Sequence, residues 1–104
     1  MGYNERRLIF MKFDPRVYRY GGLLNRHMYA WRKKTGMTDE EAWKVLVEKL
    51  DARYHGFKEK LMSYTERSTN LDLYIVHTLA SYPDFEDKFN ALIESITKER
   101  MNES

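Results

Sequence analysis

The residues best equipped for chemistry in this chain are cations interleaved with rings near its start. Residues 1–37 carry nine Lys or Arg against two acids, a net +7, together with seven of the fifteen aromatic side chains. Guanidinium and ammonium groups neutralise phosphates, and ring faces stack on bases, so this is the mixture a nucleic-acid surface needs. Residues 38–104 hold nine bases and fourteen acids, a net −5, so the overall charge of +2 conceals a division along the chain. The candidate nucleic-acid-binding residues are Arg16, Arg19, Arg26, Arg32, Lys33 and Lys34, with Tyr18 and Tyr20 beside Gly21-Gly22 as stacking groups. The competing explanation is internal: the basic third packs beside the acidic two-thirds, and its rings enter the core. Arg32-Lys33-Lys34 in particular has a partner-free role as the cationic last turn that complements a helix dipole.

Other chemistries find little support. With no cysteine, disulfides, thiolate metal sites, iron–sulfur clusters and cysteine nucleophiles are excluded. His27, His55 and His77 lie 28 and 22 residues apart, without zinc-type pairing or the carboxylate offset of di-iron bundles, so no metal or cofactor is expected. Asp51 and His55, four apart, read as ordinary helix surface. There is no Gly-x-Ser-x-Gly elbow and no phosphate-cradling glycine loop, and Glu40-Glu41 and Glu86-Asp87 suit the first turns of helices. The expectation is a protein that is not an enzyme.

These residues must be positioned by a chain of 104 residues, enough for a single domain over 1–104 with one modest core. At 42% hydrophobic and 33% charged, the composition is that of a soluble globular protein. The longest uncharged run, Leu73 to Pro83, falls short of the roughly 20 apolar residues that span a bilayer, and the first residues lack a signal-peptide core. No membrane association and a cytoplasmic location are therefore expected.

The pattern predicts an all-α fold, a small bundle of about four main helices. Asp14-Pro15 starts a helical turn, Gly21-Gly22 invites a kink or break, and a helix near 22–34 carries Leu23, Leu24, His27, Met28 and Trp31 on one face before Gly36 stops it. Thr38-Asp39-Glu40-Glu41 is a capping box. From it Trp43, Leu46, Leu50, Tyr54, Phe57, Leu61 and Tyr64 recur at steps of three or four, predicting one long helix over about 39–66 in which Gly56 is a weak point. Such a rod spans about 42 Å, longer than a small domain, so it must kink, protrude or pair with another copy, and a homodimer using it is the expectation. Asn70 caps a further helix that the Tyr82-Pro83 pair ends, and a last helix from about Asp84 carries Phe85, Phe89, Leu92, Ile93 and Ile96 inward.

Arg6 to Phe13 is too short and too evenly apolar for its period to separate strand from helix. An N-terminal strand there, followed by helices, would give a ribbon-helix-helix-like dimer, but both faces of that strand carry apolar residues, so helix or extended packing is preferred. The turn at 35–38 also invites a helix-turn-helix reading. Asp39, Glu40 and Glu41 would then meet phosphates with like charge, which disfavours it. The leading expectation is a small nucleic-acid-binding accessory or regulatory protein acting through the basic third. The alternative is a protein–protein adaptor or inhibitor, for which six Met and the aromatic stripe would supply buried contact surface.

Overall fold

In the computed structural model, residues 13–65 and 70–102 are described, with side chains through Lys98. Asp14 and Pro15 open the first helix, α1 (Pro15–Thr35), as their types require. The Asp14 carboxylate accepts the Arg16 backbone N–H at 2.8 Å, and proline at the first position has no N–H to leave unpaired. Gly36 ends the helix at φ 78°, with its N–H donating to the Arg32 carbonyl at 2.8 Å.

α1 runs unbroken through Gly21-Gly22, where the sequence predicts a kink or break. Two glycines weaken a helix by about 2 kcal/mol relative to alanines. The offset comes from packing: Gly21 is buried, and a β-carbon on it would lie 2.8 Å from Leu73 Cδ2, so its missing side chain lets another helix approach closely.

The capping box forms as predicted at the start of α2 (Asp39–Arg53). Glu41 N–H donates to Thr38 Oγ1 at 3.2 Å, and Thr38 N–H donates to Glu41 Oε1 at 2.9 Å. The single helix over 39–66 does not form. Tyr54 turns extended (φ −120°, ψ 104°), Gly56 takes φ 80°, and a separate helix α3 (Phe57–Tyr64) follows. Asp51 explains the break: its Oδ1 accepts the Lys58 backbone N–H at 2.9 Å, capping α3 from the end of α2. The apolar stripe survives because both helices turn the same face to one core, burying Trp43, Leu46, Leu50, Phe57 and Leu61. With the 42 Å rod gone, the length argument for pairing two chains goes too.

α4 (Leu71–Ala80) and α5 (Phe85–Asn102) follow residues in left-handed conformation, Asn70 at φ 58° and Asp84 at φ 56°, types that tolerate it. Asn70 precedes α4 without the side-chain capping bond that the sequence predicts. In α4, Ile75, Val76, Thr78 and Leu79 are fully buried, and the Thr78 hydroxyl is satisfied by the Tyr74 carbonyl at 2.7 Å. Among the described residues there are five helices and no strand, so the fold is all-α with one more helix than the four predicted. The strand alternative at Arg6 to Phe13 lies, apart from Phe13, outside the described residues.

α1 packs chiefly on α4 and α5 and meets α2 near its end, while α3 joins α2 to α4. Val17, Leu24, Met28 and Trp31 enter the common core with Leu46, Phe57, Leu61, Ile75, Leu79, Phe89 and Ile96. One side of α1 is thereby committed to the interior, and the other faces solvent. No described helix is long and apolar enough to cross a membrane.

Candidate nucleic-acid interface

Between Pro15 and Thr35 there are six Lys or Arg and no Asp or Glu. The buried positions Val17, Gly21, Leu24, Met28 and Trp31 recur every three or four residues, which leaves Arg19, Arg26 and Lys33 on the opposite face. At 3.6 residues per turn, seven-residue steps place these three within about 20° of one another in succession and about 10 Å apart along the axis. They form a ridge about 21 Å long. All three are exposed, and none makes an ion pair with a described residue; Lys34 is likewise exposed and unpaired on the flank.

The other predicted residues are engaged within the fold. Arg16 donates from Nε and Nη2 to the two Asp14 carboxylate oxygens at 3.3 and 3.2 Å, and its guanidinium lies 5.4 Å from the Phe85 ring centre. That hydrogen bonding raises the Arg16 pKa, and the backbone N–H of Arg16 lowers that of Asp14. Arg32 reaches across the turn to Asp39 at 3.0 Å, and Asp39 also accepts the Trp43 indole N–H at 2.8 Å, so this cation ties the end of α1 to the start of α2. The Tyr20 hydroxyl donates to Glu86 Oε2 at 3.1 Å, which holds its proton more tightly, and its ring meets Phe85 and Phe89 edge to face at 5.1 and 4.7 Å.

Tyr18 does point outward, 55% exposed, with the Phe13 ring against it at 5.8 Å. Tyr29, outside the predicted set, is 54% exposed, and its ring carries Arg32 at 5.5 Å and Lys33 at 5.4 Å. The structure thus brings Arg19, Arg26, Lys33 and Lys34 together on one surface with Tyr18 and Tyr29, and engages Arg16, Arg32 and Tyr20 with partners inside the domain, Arg16 remaining exposed. The signal that separates the two sets in sequence is the seven-residue spacing of 19, 26 and 33.

Elsewhere, some cations have partners in the domain, whereas Lys44, Arg53 and Lys98 make no ion pair among the described residues. Lys58 Nζ lies 2.6 Å from Glu48 Oε2, which raises its pKa. Lys60 sits 4.7 Å from the Tyr82 ring centre, and Lys88 sits 5.8 Å from that of Tyr54 while donating to the Pro83 carbonyl. Between α2 and α3 lies a groove of about 270 Å³ lined by Trp43, Val47, Leu61, Met62 and Leu71 together with Asp39, Glu40, Lys44, Glu48 and Lys58; Met62 is 49% exposed. His77 has Phe13 and Tyr64 against it at 5.3 and 4.6 Å, and burial lowers its pKa. Among the described residues no three His, Asp or Glu side chains group so as to hold a metal ion.

Comparison with protein-family models, with curated proteins and with solved structures gives no match.

Proposed function

We propose that this protein is a non-enzymatic nucleic-acid-binding accessory or regulatory factor whose contact surface is the outer face of α1. The observation that carries the reading is the ridge of Arg19, Arg26 and Lys33, exposed and without acidic partners on a helix that contains no acid. A polyanion is the ligand that such a row of fixed cations suits, because each neutralised phosphate releases condensed counterions. The direct test is titration of a labelled duplex oligonucleotide by fluorescence anisotropy at low salt. The intact protein binds, and the variant R19E/R26E/K33E/K34E, checked for native helicity, does not. Undetectable binding by the intact protein, or full binding by the variant, would refute the reading.

The second reading, a protein–protein adaptor or inhibitor, is favoured by the groove between α2 and α3 with its half-exposed Met62. It predicts a protein that copurifies after nuclease treatment and is lost from a Met62→Glu variant, with no affinity for DNA or RNA.

A further inference from the structure

Gly22 lies on the exposed side of α1, three residues from Arg19 and four from Arg26. A glycine inside a helix weakens it relative to alanine, so a reason for its presence is required. Gly21 has one in the close approach of Leu73, whereas a β-carbon on Gly22 would meet no described atom within 4 Å. Nor does backbone conformation require glycine, since Gly22 is not among the positive-φ residues. Nothing inside the described fold accounts for a bare backbone in the middle of the cationic ridge. A bare backbone there leaves room for a ligand to come close to the helix axis.

The nearby rings indicate what kind of ligand that is. Sequence-tolerant binding of a single strand relies on free aromatic faces on which bases stack. Tyr20 is held between Phe85, Phe89 and Glu86, while Tyr29, with Arg32 and Lys33 near its ring, and Tyr18, edge to face with Phe13, remain about half exposed. Tyr18 and Tyr29 are exposed beside the ridge and not on it, so along its centre the face offers charges at fixed spacing on an unbroken helix, which suits a stiff duplex. The major groove of B-form DNA is about 12 Å wide and admits one α-helix, itself about 10–12 Å across with side chains, whereas the major groove of A-form RNA is too narrow and deep.

Resting on the nucleic-acid reading above, we infer that α1 seats in the major groove of B-form DNA with Gly22 at the point of closest approach. Arg26, at the centre of the ridge, faces base edges, where arginine pairs with guanine O6 and N7. Arg19 and Lys33, about 10 Å to either side, meet phosphates, and Lys34 meets one from the flank.

The test uses the full chain and two substitutions, Gly22→Ala and Gly22→Leu, each followed by thermal unfolding and by binding to duplex DNA, duplex RNA and single-stranded DNA of one sequence. Both variants should unfold at or above the temperature of the unmodified protein, because alanine and leucine favour helix over glycine. The unmodified protein should bind duplex DNA at least about 10-fold more tightly than duplex RNA or the single strand, and Gly22→Leu should lose at least about 10-fold of that affinity while Gly22→Ala loses less. Equal binding of duplex DNA by the unmodified protein and Gly22→Leu would overturn the groove assignment and leave the polyanion reading standing, as would a preference for single strands or for duplex RNA. Absence of binding to all three nucleic acids would overturn both.

Discussion

The outer face of α1 carries its cations on a helix without a single acid, whereas Lys44, Lys49, Arg53, Lys58 and Lys60 of α2 and α3 stand among Glu40, Glu41, Glu48, Asp51 and Glu59. On the α2–α3 side, Lys58 has Glu48, and Lys60 lies over Tyr82. Lys88 from α5 joins that cluster over Tyr54. On α1, Arg19, Arg26, Lys33 and Lys34 have no ion pair among the described residues, while Arg16 and Arg32 at the two ends have Asp14 and Asp39. Acids on the same helices therefore accompany the cations of α2 and α3, and Asp14 and Asp39 those at the two ends of α1, which leaves a central ridge with no ion pair among the described residues. Placement, not net charge, is what distinguishes a surface available to a polyanion.

The comparison is broken or upheld most strongly by paired charge reversals. R19E/R26E/K33E should weaken binding to duplex DNA by at least about 100-fold at moderate salt, with native helicity retained. K58E/K60E/K88E alters net charge by the same amount, yet should leave affinity within a few-fold and instead lower the unfolding temperature, since a carboxylate in place of the Lys58 ammonium would face Glu48 with like charge. Equal losses of affinity in the two variants would mean that net charge, not the ridge, drives binding.

Smaller effects sharpen the division by touching stability alone. Thr38→Ala removes the acceptor for the Glu41 N–H at the start of α2 and should cost about 1 kcal/mol in denaturant unfolding without altering DNA affinity. His77 on α4, packed against Phe13 and Tyr64, gives a pH signature of its own. Its proton is released more readily in the fold than in the unfolded chain, where its ordinary value is 6.5. The folded state therefore binds fewer protons, and its stability, full above pH 6.5, declines as pH falls through the lowered folded value. His77→Phe should retain the ring packing and remove that part of the decline. Asp72 acts in the opposite sense: burial raises it above 3.8, so acidification through its folded value adds stability. Least of all, Lys58→Ala, which deletes an exposed and solvent-screened ion pair, should leave the denaturant midpoint nearly unchanged.

What was legible in the sequence was what neighbours in the chain decide. The Thr38–Glu41 capping box, the Asp14-Pro15 start and the Gly36 stop all involve contacts within four residues, and all form as their residue types dictate. The break after Arg53 was hidden because the apolar period continues in register across it. Its cause, the Asp51 carboxylate on the Lys58 N–H, spans seven residues, at a position where the Asp51–His55 offset suggests plain helix surface. The continuity of α1 was hidden for a longer-range reason, the seat that Gly21 provides for Leu73. The candidate site was legible as a composition and only in part as a list of residues. Both end cations have acids of their own, Asp14 two residues before Arg16 and Asp39 seven after Arg32, and Tyr20 is drawn inward by Glu86, 66 residues away.

The account rests most directly on the salt dependence of DNA binding. With three phosphates contacted by Arg19, Lys33 and Lys34, log affinity for a B-form duplex should fall against log salt with a slope of about −3, and R19A/R26A/K33A should flatten it to about −1. A slope that the triple substitution leaves unchanged, or a protein that binds no duplex at any salt concentration, would contradict it.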